Sequence, residues 1–335
     1  MRRNLAGKYK CILFLLLCPF FLQAQQLPRF SQYYVNEFLI NPAVAGYDGR
    51  TVINLAARKQ WVGFTSNTPS TYLLSLQGRI LKSRTDVTAG SYGNRLSLGS
   101  RGRVGLGGIV YNDQNGAIHR TGAQFSYAYH IFIFNSQLSF GLTGNVFQYR
   151  IGKDEAELKD PEIDPLYALI GKSTVVPDAG IGVNYMKEKW HIGISVSQLF
   201  ETKLKIGNAE EYRYSDDIRL KRHYYMLADY RFNINNTGYW EIEPSMVLMA
   251  NERLGFSADL TFKAYYKRQY WFGVSGRTSG EIIIMGGVKF KNYYFGYSYD
   301  YGFNGISSYS LGSHEITISA KFGDTARRYR WLDRY

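Results

Sequence analysis

The chain has 335 residues, of which 29 are tyrosine, 34 glycine and only 8 proline, and it carries a formal charge of +13. Its two cysteines, Cys11 and Cys18, both lie near the N-terminus, so the rest of the chain has no disulfide framework, thiolate metal site or cysteine nucleophile. Beyond that segment no stretch offers the roughly 18 consecutive apolar residues of a membrane helix, which excludes a helical membrane protein.

Arg2, Arg3, Lys8 and Lys10 form a basic start, an apolar run extends from Ile12 to Leu22, and the small residue Ala24 precedes Gln25. This pattern predicts a cleaved signal peptide over residues 1–24. Pro19 and the shortness of the run argue against an uncleaved anchor helix. Cys18 follows Leu15, Leu16 and Leu17 and lacks the small residue expected just before a lipidated cysteine. Without the four basic residues of this segment the charge is +9. In a soluble protein that excess would suggest nucleic acid. Here the charges are spread over turns and alternate positions, which predicts solvated turns and a charged lumen, and no nucleic-acid partner.

Residues 25–50 are not strand-like. Asn41 before Pro42 favours an extended or turn conformation, and Gly46 permits positive φ. The segment reads either as a small plug at the periplasmic mouth or in the lumen, or as a tether to the first strand.

From residue 51 onward the dominant period is two. Over residues 51–61, Ile53, Leu55, Ala57 and Trp61 share one face, and Asn54, Arg58 and Gln60 the other. Over 70–80, Tyr72, Leu74, Leu76 and Ile80 oppose Thr71, Ser75, Gln77 and Arg79. A weaker segment, 103–111, precedes two clear ones at 120–130 and 137–149. The pattern resumes at 179–185 and 190–196, weakens at 223–232 and 240–249, and is plain again at 256–262 and 270–274. It ends with 282–290, 293–299 and 316–322. Alternating segments of about ten residues are the mark of strands with lipid on one side and a lumen on the other. The fold class predicted is all-β: a transmembrane antiparallel β-barrel of about 14 strands, a single domain over residues 51–322, with a periplasmic tail at 323–335. A closed sheet leaves no unpaired edge in lipid. A soluble sandwich would also alternate, but would not place aromatics on the outer face of nearly every strand. No 40–50-residue repeat supports a propeller.

Connections supply a check. Short turns at 131–136, 187–189, 233–239, 266–268 and 291–292 alternate with connections such as 150–177, 199–221 and 302–313, which puts both chain ends in the periplasm. Residues 81–102 break the rule, being long where a short turn is expected.

Chemistry-bearing patterns are few. The five histidines, His119, His130, His191, His223 and His314, show no metal-ligand spacing, and no nucleophile elbow or P-loop occurs, so neither a cofactor nor a catalytic site is predicted. Gly105-Leu106-Gly107-Gly108 and Gly141-Leu142-Thr143-Gly144 lie inside strands, where glycine permits close packing. Asp160, Glu162 and Asp164 make an acidic loop. The unusual feature is the inward charge of the second half: Asp229, Arg231, Glu241, Glu243, Asp259, Lys263, Arg277 and Asp300, then Glu315 and Lys321. Charges of both signs facing a lumen fit a hydrated channel, and also the paired network of a nearly closed interior, which the near balance of sign favours.

Certain fragments recur in order along the chain: Phe30-Ser31-Gln32-Tyr33, Asn41-Pro42-Ala43-Val44-Ala45-Gly46, Gln60-Trp61-Val62-Gly63-Phe64, Asn112-Asp113, Pro177-Asp178, His223-Tyr224-Tyr225, Pro244-Ser245, Gly296-Tyr297-Ser298-Tyr299-Asp300 and Gly312-Ser313-His314-Glu315-Ile316. Together they resemble the PorP/SprF family of type IX secretion system membrane proteins over essentially the whole mature chain. The resemblance implies an outer-membrane protein that assists export, or surface attachment, of secreted proteins such as gliding adhesins. Its implied partners are type IX components, a secreted protein with a C-terminal sorting domain, and outer-membrane lipid. Phe30, Gln32, Asn41, Pro42, Gly46, His314 and Glu315 are the candidate partner-binding or plug residues. The alternative is an outer-membrane channel or transporter for hydrophobic or charged small solutes.

Overall fold

The computed structural model describes residues 29–64, 67–80, 103–152, 171–202, 220–234, 239–252, 255–303 and 309–323. The strands, in chain order, are β1 (Thr51–Lys59), β2 (Ser70–Ile80), β3 (Val104–Asn115), β4 (Ile118–Ile133), β5 (Ser136–Ile151), β6 (Ser173–Lys187) and β7 (Trp190–Ser197). There follow β8 in two pieces (His223–Tyr230 and Phe232–Asn233), β9 (Trp240–Asn251), β10 (Phe256–Tyr266), β11 (Tyr270–Arg277), β12 (Glu281–Phe290), β13 (Tyr293–Gly302) and β14 (Ser313–Phe322). Each pairs antiparallel with its sequence neighbours, and β14 pairs with β1 from Thr51↔Phe322 to Lys59↔His314. The result is the closed barrel of 14 strands expected from the alternation.

Burial follows the period of two. On β4, Phe125 is 60% exposed, while the inward Ser126 and Ala128 are fully buried. The outward rows of Leu, Ile, Val, Phe and Tyr are the surface a bilayer solvates. The signal peptide and cleavage point, the acidic loop at Asp160, and nearly all of the C-terminal tail lie outside the described residues, as does 81–102. Even so, β2 and β3 pair directly, from Ser70↔Gln114 to Ile80↔Val104, so the wall has no place for a further strand between them.

Two prolines account for differences from the expected strands. β6 begins at Ser173, six residues before the segment predicted at 179, and it includes Pro177 opposite Val146 of β5. Proline usually ends a strand because it cannot donate to a ladder. Here β7 pairs with β6 only over Ile181–Lys187, so Pro177 sits where one edge of β6 is open. Pro244 of β9 faces the break between the two pieces of β8. Asp229↔Ser245 and Phe232↔Ile242 keep one register, and the ladder lapses between them, where proline has no N–H to give.

Candidate functional site

Residues 29–50 lie inside the barrel. Two short 3-10 turns, Glu37–Leu39 and Pro42–Val44, organise them, and Asn41 caps the second by accepting from Ala43 N at 3.0 Å. Nearly every side chain in the segment is buried, with Phe38, Ala43 and Ala45 fully so. The segment bonds to walls on all sides. Asn36 donates to Ser75 on β2, Tyr33 bonds Thr261 on β10, Asn41 donates to the Val183 carbonyl on β6, Ser195 on β7 donates to the Ile40 carbonyl, and His130 on β4 bonds the Ala45 carbonyl. A plug of this kind is stable in the lumen because its backbone and side-chain polar groups find these partners in place of water.

Toward the walls built by β3, β5 and β6 the fit is steric. A Cβ on Gly105 would stand 1.9 Å from the Ala45 oxygen, on Gly107 2.4 Å from the Phe38 ring, on Gly141 2.2 Å from Ala43 N, and on Gly182 2.1 Å from Asn41 Oδ1. Those strands must be bare at these points for the plug to seat. Gly46 adopts φ +66° and rests on the Gly78 carbonyl, while Arg79 reaches across to the Gly46 and Tyr47 oxygens.

Toward the second half the fit is ionic, and strand register sets the pairs. Arg58 stands opposite Glu315 across β1–β14, Glu243 opposite Lys263 across β9–β10, and Asp259 opposite Arg277 across β10–β11. Arg58 bonds Asp300 at 2.6 Å and Glu315 at 3.1 Å. Glu315 also accepts from the Ser31 and Gln32 backbone N–H groups, at 2.6 and 2.9 Å. Ser31 Oγ donates to Asp300 at 2.6 Å. Arg29 extends the chain to Asp259 at 2.5 Å, and Asp259 holds Arg277 at 3.1 Å. Burial pulls the Arg29 guanidinium down to about 10, with the nearby Arg277 pushing the same way and Asp259 opposing, so it stays charged at neutral pH. Nearer the other rim, Lys263 bonds Glu243 at 2.6 Å and lies 3.8 Å from the centre of the Tyr34 ring, and Arg231 and Arg268 neutralise Glu243 and Glu241. Burial raises the Tyr33 and Tyr34 hydroxyls above their ordinary range, so both remain neutral.

The structure places all ten predicted charges at inward positions, and Phe30, Gln32, Asn41, Pro42, Gly46 and Glu315 meet in or against the plug. His314 does not join them. It takes the opposite parity from Glu315, and its Nδ1 bonds the Tyr297 hydroxyl at 2.7 Å on the outer wall. Arg29, Arg58, Arg79 and Asp48 complete the network. Arg58 and Arg79 were legible as wet-face residues, but their partners were not. On the long-loop side of the plug lies a cavity of about 250 Å³, walled among the described residues by Arg29, Tyr33, Tyr111, Arg120, Phe147 and Tyr225.

A family model described as "Type IX secretion system membrane protein PorP/SprF" matches residues 22–320. No curated protein matches the sequence. Similar solved structures include BamA from Haemophilus ducreyi lacking POTRA domains 1–3, 10% identical over 81% of this chain and 70% of that one, with a TM-score of 0.42. A Pseudomonas aeruginosa FadL homologue is 9% identical over 88% and 94%, with a TM-score of 0.43. A mutant of Rh. blastica porin is 8% identical over 82% and 99%, with a TM-score of 0.35.

Proposed function

This chain belongs to the PorP/SprF family of type IX secretion system membrane proteins and is an outer-membrane β-barrel, and from that premise we propose that it assists export or surface attachment of secreted proteins through protein–protein contact. The observation that carries the reading is the filled lumen. A barrel occupied by its own residues 29–50, held by hydrogen bonds, ion pairs and apolar packing, is suited to a fixed interaction platform more than to the passage of solute. In this reading Phe30, Gln32, Asn41, Pro42, Gly46 and Glu315 keep the interior shut, and the lumen charges from Asp229 to Asp300 hold it rigid. Partners are met at the rims and loops: type IX components, and a secreted protein bearing a C-terminal sorting domain. The role requires no catalysis.

The test is affinity purification of the tagged protein from native membranes, with the bound proteins identified, beside conductance of the pure protein in planar bilayers. Type IX components in the eluate and a quiet bilayer are expected. Steady conductance together with loss of uptake of a small solute on gene deletion would overturn the reading in favour of a transporter.

A further inference from the structure

His191 lies opposite Asp229 across β7–β8, with its Nδ1 2.7 Å from Asp229 Oδ2. Glu37, from the first 3-10 turn of the plug, brings Oε1 to 3.6 Å from the same nitrogen. One ligand atom from each residue falls within 4.8 Å of the others, and all three side chains are at most 5% exposed. We propose that Glu37, His191 and Asp229 form a site for a divalent first-row transition cation, with zinc as the type, that pins the plug to the barrel wall.

Three observations support the site. The first is orientation. His191 Nε2 lies 2.7 Å from Asn184 Oδ1, an acceptor, so Nε2 keeps its proton, and it is Nδ1, now sharing a proton with Asp229, that would offer its lone pair to an ion once that proton leaves. An outer partner on the far ring nitrogen is the usual companion of a metal-bound histidine. The second is charge. The two carboxylates bring two negative charges to match a divalent cation, and a neutral imidazole adds a donor without adding charge. The third is spacing. Metal–donor distances of about 2.0–2.2 Å in a tetrahedral site put donor atoms roughly 3.3 Å apart, and the 2.7 and 3.6 Å contacts bracket that value. One imidazole with two carboxylates is a borderline donor set, suited to zinc and its first-row neighbours more than to calcium, which takes oxygen donors alone. Binding would displace the proton shared by His191 and Asp229. Because Glu37 comes from the plug and the other two residues from the wall, the ion would cross-link them. None of this depends on the secretion role.

The test uses the whole protein without a polyhistidine tag, purified in detergent, stripped with chelator and titrated with Zn²⁺ against a chromophoric competitor. One equivalent is expected per folded chain. Glu37→Gln and Asp229→Asn should each weaken binding at least about tenfold, and Asn184→Ala by roughly tenfold through the lost outer contact. Heat-modifiable gel mobility reports that each variant still forms a barrel, and E37Q alters no wall residue. Cobalt substitution should give visible d–d bands that E37Q removes. A folded wild-type protein that takes up no zinc at micromolar free metal would overturn the proposal and leave an imidazolium–carboxylate pair. Zinc bound equally by wild type, E37Q and D229N would overturn it as well, because the metal would then lie elsewhere.

Discussion

The plug meets two unlike walls. Against β3, β5 and β6 it is accommodated by absence: inward glycines leave hollows that Phe38, Asn41, Ala43 and Ala45 fill, and beside them Phe30 and Phe38 pack on Ala56 of β1, Leu73 of β2, Ile109 of β3 and Ala128 of β4. Against β10–β14 and β1 it is gripped by charge and aromatic rings, through Glu315, Asp300, Arg58 and Asp259, with Tyr33 and Tyr34 packed on Tyr265, Trp271 and Tyr294. The first wall selects shape and tolerates no added atom. The second selects electrostatics, and each of its members depends on a partner staying in place. One short segment can thus be held by two kinds of specificity at once.

The sharpest break in this comparison is on the steric side. Gly105→Val combined with Gly141→Val should expel the plug at a cost of about 3 kcal/mol or more, since overpacking of a fitted interface is not relieved by small shifts. Planar bilayers should then show steady conductance where the parent is quiet. Gly144→Val, where an added Cβ meets nothing within 4 Å, is the matched control and should stay closed. If both behave alike, the hollows are not what seats the plug.

On the ionic side Arg58→Ala should cost about 3–5 kcal/mol, because it takes the nearest cation from the buried carboxylates Asp300 and Glu315. Denaturant unfolding in detergent, followed by tryptophan fluorescence, measures this. Glu315→Gln keeps the shape and one acceptor oxygen, and should cost less, about 1.5–3 kcal/mol, the worth of hydrogen bonds to a charged group. An equal loss in both variants would mean that packing around Arg58 matters more than its charge. His314→Phe, one residue away but on the outer wall, should change stability by no more than about 0.5 kcal/mol. A large effect there would show that the outer face near the loops is also structural.

The barrel was legible because a period of two survives in a single sequence, and it assigns each residue to lipid or lumen without knowledge of its neighbours. Asp259, Lys263 and Arg277 could be placed inward for that reason. Which charge meets which could not be read, because pairing depends on register between strands far apart in the chain. Arg58 and Glu315 illustrate this, lying opposite each other across the closure of the barrel. The plug has no period at all, so its turn chemistry at Asn41, Pro42 and Gly46 was visible while its place was not. Glycine marked close approach at Gly105 and Gly141 without naming the visitor. Pro177 hid the first turn of β6, because a breaker in sequence becomes harmless where a neighbouring strand has already ended.

The contact among Glu315, Arg58 and the Ser31–Gln32 backbone also bears on assembly. β1 and β14 are the first and last strands of the barrel, so the seam they form joins the residues farthest apart in the chain. The carboxylate that seals this seam is the same one that clasps the plug inside it. Closing the cylinder and holding its contents therefore draw on one side chain. With the plug out of place, Glu315 would keep Arg58 but lose the two backbone N–H groups that complete its shell.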